Sequence, residues 1–211
     1  GGGNSRNILL SGKNAFTLAE VLIALGIIGV IAAITVPSLV NEAQKRIWAA
    51  QAEQQYAILS QAFKVMRNDS DTDNILSVDL FTDNGSDAYG VNEDKLSKYF
   101  KVSGKLSSSK IPEYKTIDRK SVYNGYLLTN KNAYILANGS ILYFPEEVWN
   151  ERLISDTVDG IVVAIDSNGL AQPNAVGRDL FAYVISLNGT IYPAGNNIRI
   201  DYCHAIGNVC V

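Results

Sequence analysis

The feature that most constrains this chain is an apolar run of 25 residues, from Phe16 to Val40, in which Glu20 is the one ionisable side chain. As an α-helix the run is long enough to cross a hydrocarbon core of about 30 Å. A core helix of a small soluble domain has one polar face, whereas this run is apolar on every face. The sequence therefore predicts that these residues insert into a membrane.

The residues on either side of the run predict its orientation. Residues 1–15 contain Arg6 and Lys13 and no acidic side chain. Because basic residues before a first apolar helix keep that end in the cytoplasm, we expect the rest of the chain to be extracytoplasmic. An oxidising compartment suits Cys203 and Cys210, for which we expect a disulfide that closes a small C-terminal loop. A pair of reduced, buried thiols is the alternative.

The residues around Glu20 carry the most specific signal in the chain. A carboxylate at membrane depth costs roughly 3 kcal/mol unless it is paired, and such charges usually serve a function. Lys13-Asn14-Ala15 and then Phe16-Thr17-Leu18-Ala19-Glu20 precede an unbroken apolar helix that contains Pro37. This arrangement resembles the class III signal of type IV prepilins and of type II secretion pseudopilins.

The resemblance implies a processing site and an assembly site. A prepilin peptidase would cut between Ala15 and Phe16 and the new amino terminus would be methylated, although Ala15 stands where the family usually has Gly. Glu20 would then neutralise the Phe16 amine of a neighbouring subunit in a bundle of low dielectric constant. Pro37 would remove one helical hydrogen bond and kink the helix.

Beyond Pro37 the pattern of apolar residues changes. From Ser38 to Met66 they recur at steps of three and four residues, and Glu, Lys, Arg and Gln occupy the opposite face. This period is typical of an amphipathic helix. We therefore expect the helix to continue to about Arg67 and to pack on a globular domain.

The remainder of the chain is rich in strand and turn signals. Asn138-Gly139 and Asn188-Gly189 each separate two apolar stretches, as in tight β-hairpins, and residues 125–129 and 159–169 predict further strands. We expect an α+β fold in which the long N-terminal helix packs on four to six mainly antiparallel strands. This arrangement resembles the α/β-roll of pilins.

Three local features complete the expected domain. Residues 69–90 predict an irregular connection, and residues 91–100 predict a short helix with Asn92 as its cap. Residues 103–109 are rich in Gly and Ser and predict a break. The chain is thus expected to comprise four parts: a leader (1–15), a transmembrane and filament-core helix (16–40), an amphipathic helix (41–67) and an extracytoplasmic globular domain (68–211).

Acidic residues bear on possible ligands. The net charge of −3 argues against a general nucleic-acid binder, which needs clustered cations. Eight carboxylates and no Lys or Arg lie between Asn68 and Asp94, which indicates a solvated loop. Between two strands, Asp166, Asn168 and Asp179 offer oxygen ligands for Ca²⁺. A rigid turn, in which these side chains cap backbone groups, is the alternative.

The function expected is structural rather than enzymatic. The chain has one His, His204, and no GxSxG, HExxH or P-loop motif. The resemblance implies a subunit of a type IV pilus or a secretion pseudopilus, located first in the inner membrane and then in a periplasmic or cell-surface filament. Its partners would be homologous subunits, the prepilin peptidase, the inner-membrane assembly platform and membrane lipid.

Two other interpretations remain at this point. In one, the N-terminus is an ordinary signal anchor for an extracytoplasmic binding or hydrolytic domain outside any filament. In the other, a signal peptidase cuts near Ala33 and releases an exported protein. All three interpretations differ in the N-terminus of the mature protein.

Overall fold

A computed structural model describes residues 16–83, 88–123, 128, 131–145, 147–149 and 160–194. The chain divides into two compact units, Gly1–Gln44 and Lys45–Val211. The predicted leader, the two cysteines and His204 lie outside the described residues. So does the predicted strand at 125–129, apart from Leu128.

A single helix, α1 (Leu18–Ser70), accounts for all of the described regular structure of the first unit and continues into the second. In the first unit its large apolar side chains are exposed, as at Leu18, Ile23 and Ile34. By length and composition α1 is able to cross a membrane, and none of its most apolar window is buried. A helix that served as the core of a soluble domain would not leave this surface uncovered.

The second unit contains a six-stranded antiparallel sheet in the spatial order β3-β4-β5-β7-β8-β9. The hairpin turns hold Gly139 at φ 85° and Gly189 at φ 78°, a conformation that glycine adopts without strain. Both predicted Asn-Gly hairpins are therefore confirmed, as is the α+β fold class. The strands are β3 (Val102–Leu106), β4 (Lys131–Leu136), β5 (Ile141–Pro145), β7 (Gly160–Asp166), β8 (Leu180–Ser186) and β9 (Ile191–Pro193).

A smaller, three-stranded sheet contains β1 (Phe81–Asp83), β2 (Ala88–Val91) and β6 (Glu147–Trp149), in that spatial order. A 3₁₀ turn at Ile75–Ser77 connects the end of α1 to β1 in the sequence. The connection predicted to be irregular thus has short regular elements. The short helix is confirmed as α2 (Glu93–Phe100), where the Asn92 side chain accepts a hydrogen bond from the Lys95 amide.

The predicted Gly/Ser-rich break at residues 103–109 is wrong, because β3 occupies its first half. β3 is an edge strand that pairs with β4 and has a register irregularity between Val102 and Gly104. The Ser103 hydroxyl also donates to the carbonyl of Ile135, at 3.0 Å. Hydrogen bonds to a neighbouring strand override a composition that by itself favours a loop.

The core of the second unit lies on both faces of the large sheet. On one face Leu59, Phe63 and Met66 of α1 join a buried cluster with side chains of β5, β7 and β8. The Tyr183 hydroxyl also donates to the carbonyl of Ala52, at 2.7 Å. On the other face, residues 111–123, called the strap below, cover a second cluster with Tyr114 at its centre.

Candidate functional site

The first site is the start of α1, where Thr17 and Glu20 bind each other reciprocally. The Thr17 amide and hydroxyl donate to Glu20 Oε2 at 2.8 and 2.9 Å. The Glu20 amide in turn donates to the Thr17 hydroxyl oxygen, at 3.2 Å. This is a capping box, which satisfies amides that the first turn of a helix cannot pair internally.

The capping box gives Glu20 a partner within its own chain, which our sequence reasoning missed. The signal was present, because Thr17-Leu18-Ala19-Glu20 has the T-x-x-E spacing of a capping box. A negative charge in the first turn also interacts favourably with the helix dipole. Glu20 therefore stabilises the end of the helix at which the predicted cut would expose a new amine.

The other residues of the predicted N-terminal site lie along the same element. Phe16 is 84% exposed, and Pro37 lies inside α1. Two residues before Pro37, the Thr35 hydroxyl donates to the Ile31 carbonyl, at 2.9 Å. Ala15 lies outside the described residues, so the cut between Ala15 and Phe16 stays a prediction.

The second site comprises Asp166, the last residue of β7, and the loop that follows it as far as Asp179. Both carboxylates are buried and both accept hydrogen bonds from the protein. Asp179 accepts from the amides of Asn174 and Ala175, each at 2.6 Å, and from that of Leu180, at 3.0 Å. Its two oxygens thus cap the turn that closes the loop.

Asp166 belongs to a buried network that ties the strap to the sheet. It accepts from the Tyr114 hydroxyl at 2.5 Å and from the Asn168 amide at 3.0 Å. The hydroxyls of Tyr114 and Tyr143 lie 2.8 Å apart, and their rings pack edge to face. The strap, β5 and β7 are therefore joined by one chain of hydrogen bonds.

Burial raises the pKa of Asp166 to about 6, although the hydrogen bond from Tyr114 acts in the opposite direction. The nearby charge of Asp179 adds to the increase. Burial, together with Asp166, raises the pKa of Tyr114 far above its ordinary value, so this phenol stays a hydrogen-bond donor. The network is thus built around a carboxyl group whose pKa is raised by its burial.

These contacts favour the rigid-turn interpretation over a calcium site. Hard cations bind ionised carboxylates, but Asp179 is occupied by three amides and Asp166 holds a proton more readily than usual. Within the described residues, no three His, Cys, Asp or Glu side chains converge in a way that would hold a metal. Three buried oxygens of the loop have no hydrogen-bond partner: Ser167 Oγ, Asn168 Oδ1 and Asn174 Oδ1. Calcium at Asp166, Asn168 and Asp179 stays a prediction.

Part of the acidic segment is tied to neighbouring cations. Asp79 accepts from Lys95 at 2.7 Å, and Asp69 accepts from Lys98 at 2.9 Å. The Tyr99 hydroxyl lies between the two carboxylates, 3.2 Å from Asp69 Oδ2 and 3.0 Å from Asp79 Oδ1, and can donate to either. Hydrogen bonds from these lysines lower the pKa of Asp69 and of Asp79. These residues are therefore a charged surface network between α2 and the end of α1 rather than a freely solvated loop.

Residues 10–36 match the protein-family model described as the prokaryotic N-terminal methylation motif. No curated protein and no solved structure matches the chain. The matched residues include Lys13 to Glu20 and most of the apolar run, and the prepilin resemblance is thereby confirmed. The chain has a type IV pilin-like N-terminus, which is a signal for processing and methylation. That motif belongs to structural proteins rather than enzymes, and the described part of the chain contains no His or Cys.

Proposed function

We propose that this chain is a structural subunit of a type IV pilus or of a type II secretion pseudopilus, assembled through α1. The observation that carries the proposal is the methylation motif at residues 10–36, located at the start of a helix whose apolar surface is uncovered. Before assembly, membrane lipid covers that surface. In the filament, the helices of homologous subunits replace the lipid.

The exposed surface of α1 explains why a partner is required. Leu22, Leu25 and Ile28 are each about 60% exposed, and apolar side chains surround the helix in the first unit. Soluble monomers rarely expose a continuous apolar surface of this extent. A bundle of identical helices buries it with no further change in the chain, and Gly26 and Gly29 allow the helices to approach closely.

Glu20 sets the register between neighbouring helices in this proposal. The hydrogen bonds that the Thr17 amide and hydroxyl donate to Glu20 both fall on Oε2, so Oε1 keeps its capacity to accept another. The free amine of Phe16 on the next subunit is the donor that the cut creates. In a dry bundle an unpaired carboxylate costs several kcal/mol, so the pair forms in the register that joins the two groups.

The remaining partners and locations follow from the same processing route. The prepilin peptidase cuts the precursor in the inner membrane, between Ala15 and Phe16. The inner-membrane assembly platform then extracts the subunit, and the domain formed by residues 68–211 lies outside the cytoplasm. A disulfide between Cys203 and Cys210 would form in that compartment.

Mass spectrometry of the protein from membranes and from sheared filaments tests the proposal. The expected N-terminus is N-methylated Phe16, and an Ala15→Glu variant is expected to keep residues 1–15. Replacing Ala15 by Gly, the usual family residue, is the matched control and should leave processing intact. An unprocessed wild-type chain would instead indicate a signal anchor. A chain that begins after Ala33 would indicate export by signal peptidase.

A further inference from the structure

A group of basic and apolar side chains lies where three parts of the second unit contact each other. The Arg178 Nε group, in the loop between β7 and β8, donates to the carbonyl of Ile117 in the strap, at 3.3 Å. The Arg178 guanidinium lies over the ring of Trp48 in α1, 4.7 Å from its centroid. We call this surface the basic end, defined as Trp48, Lys115, Ile117, Arg119, Lys120 and Arg178.

The basic end combines exposed cations with an exposed apolar side chain. Lys115, Arg119 and Lys120 are exposed, and Ile117 between them is 64% exposed. The one acidic residue of the turn, Asp118, accepts hydrogen bonds from the Thr116 hydroxyl, at 2.5 Å, and from the Lys120 amide, at 3.1 Å. The acid therefore shapes the turn, and Lys115, Arg119 and Lys120 lie on either side of Ile117 in the sequence.

The turn that carries these side chains is held in a defined conformation. The Thr116 amide donates to the Ser121 carbonyl at 3.0 Å, and Arg119 occupies the left-handed region at φ 62°. Next to it, Tyr114 is fixed to Asp166 by the buried hydrogen bond described above. The Ile117 side chain lies against Gly177, so the turn is also supported by the loop between β7 and β8. Its apolar and basic groups are thus presented on a fixed support.

One residue of the basic end, Trp48, lies close along the chain to the proposed membrane span. The apolar run ends at Val40, and even a fully extended chain would place Lys45 no more than about 18 Å from it. A headgroup layer of about 6 Å and a Debye length of about 8–10 Å cover a similar distance. Trp48 follows Lys45 by three residues and contacts Arg178 directly. Through Trp48, the basic end therefore includes a residue that follows the apolar run closely along the chain.

We propose that the basic end is a docking surface for anionic phospholipid headgroups, used while the precursor is anchored in the membrane. The inference rests on the membrane insertion that is part of the proposed function. Each Lys or Arg close to an anionic leaflet contributes about 1 kcal/mol. Ile117 enters the boundary between headgroups and acyl chains, and Trp48 is of the residue type that prefers this depth.

The charge and polarity of the basic end favour lipid over two other polyanions. Nucleic acid would leave Ile117 in contact with phosphates, and the net charge of the chain is −3. The acidic surface of a second copy is a poorer match, because Asp69 and Asp79 already form ion pairs with Lys98 and Lys95. A bilayer supplies both the anionic headgroups and the apolar layer beneath them.

Hydrogen exchange of the full chain in nanodiscs that hold one copy each tests the proposal. We expect the amides of Thr116–Ser121 to exchange more slowly in discs containing phosphatidylglycerol than in discs of phosphatidylcholine alone. The variant Arg119→Gln/Lys120→Gln should lower the docking constant roughly 30-fold, the factor that two cations of about 1 kcal/mol each represent. The matched control Lys64→Gln/Lys98→Gln removes the same charge elsewhere in the second unit and should keep the protection.

Four outcomes would overturn the proposal. Equal exchange in the two kinds of disc would show that anionic lipid does not dock here, and an equal loss in the control would show an effect of net charge alone. Protection of the same amides by duplex DNA, in the detergent-solubilised chain, would identify nucleic acid instead. Protection that requires several copies per disc would identify another subunit. Methylation of Phe16 is measured in the same Arg119→Gln/Lys120→Gln variant. If Phe16 is methylated, the proposed function stands even where the lipid-docking proposal fails.

Discussion

The two units of this chain differ in whether their apolar side chains are buried by the chain itself. In the second unit, Leu59, Phe63 and Met66 are at most 1% exposed and are covered by the sheet of the same chain. In the first unit, apolar side chains of the same helix, such as Leu18 and Ile34, are more than 70% exposed. One continuous helix thus has a half that completes a core and a half that lacks one. The difference indicates that the second half gives the domain its stability and the first half gives it its partners.

The largest expected effect is on the core that the second unit completes by itself. Phe63→Ala should destabilise the domain by about 3–5 kcal/mol, because it opens a cavity next to Phe100, whose ring lies 5.8 Å away. Leu25→Ala, in the exposed half of α1, is the matched control and should leave denaturant unfolding of the domain unchanged. A similar decrease in the free energy of unfolding for both variants would show that the first half of α1 also contributes to the stability of the domain.

The next effect concerns assembly through the first unit. Glu20→Ala should reduce incorporation into filaments at least 100-fold, because removing one partner of a buried ion pair costs about 3–5 kcal/mol. Thr17→Val removes the hydroxyl that caps the Glu20 amide, at a cost of about 1 kcal/mol, and keeps the carboxylate, so it should assemble far better. Co-assembly with tagged wild-type subunits measures both. Normal assembly of Glu20→Ala would contradict the proposed pair between Glu20 and the Phe16 amine. Equal assembly defects in Glu20→Ala and Thr17→Val would show that Glu20 acts through the helix cap.

The smallest effect is a pH dependence confined to the second unit. The pKa of Asp166 is about 6 in the folded chain and near 3.8 when unfolded, so the folded state binds the proton more tightly. Its contribution to stability is therefore full below pH 3.8 and is lost as the pH rises through 6, with an upper limit of roughly 3 kcal/mol. Asp166→Asn imitates the protonated form and should lack this dependence. Denaturant unfolding of both proteins between pH 4 and 7 measures the difference.

The comparison with Asp166→Asn also separates Asp166 from the carboxylates on the surface. Hydrogen bonds from lysines lower the pKa values of Asp69, Asp79 and Glu93, so the stabilisation that these carboxylates contribute is lost as the pH falls. The wild type and Asp166→Asn share that loss, so it cancels when their free energies of unfolding are subtracted. If the wild type instead gained stability relative to Asp166→Asn as the pH rises, Asp166 would be held as a carboxylate, as a calcium site requires. Added Ca²⁺ should then raise the melting temperature of the wild type and not that of Asp166→Asn.

Local signals in the sequence account for most of the fold. The Asn-Gly pairs at 138 and 188 predict hairpins because few other residues accept a positive φ in tight turns. Asn92 predicts the start of α2, and three- and four-residue periodicity predicts α1 well beyond Pro37. Such signals act over a few residues and do not depend on what the rest of the chain does. Thr17 and Glu20 belong to the same class, although their capping box became evident only in the structure.

What the sequence by itself determined was the prepilin-type N-terminus, the long helix and the hairpins, since each rests on neighbouring residues. Only the tertiary structure decided that β3 forms from a Gly/Ser-rich segment, because its hydrogen bonds come from β4, about 30 residues away. It alone joined Tyr114 to Asp166 and Arg178 to Trp48, and so created the buried carboxyl network and the basic end. Contacts between distant residues leave no periodic mark in the sequence, and their burial, which sets pKa and exposure, exists only in the folded chain.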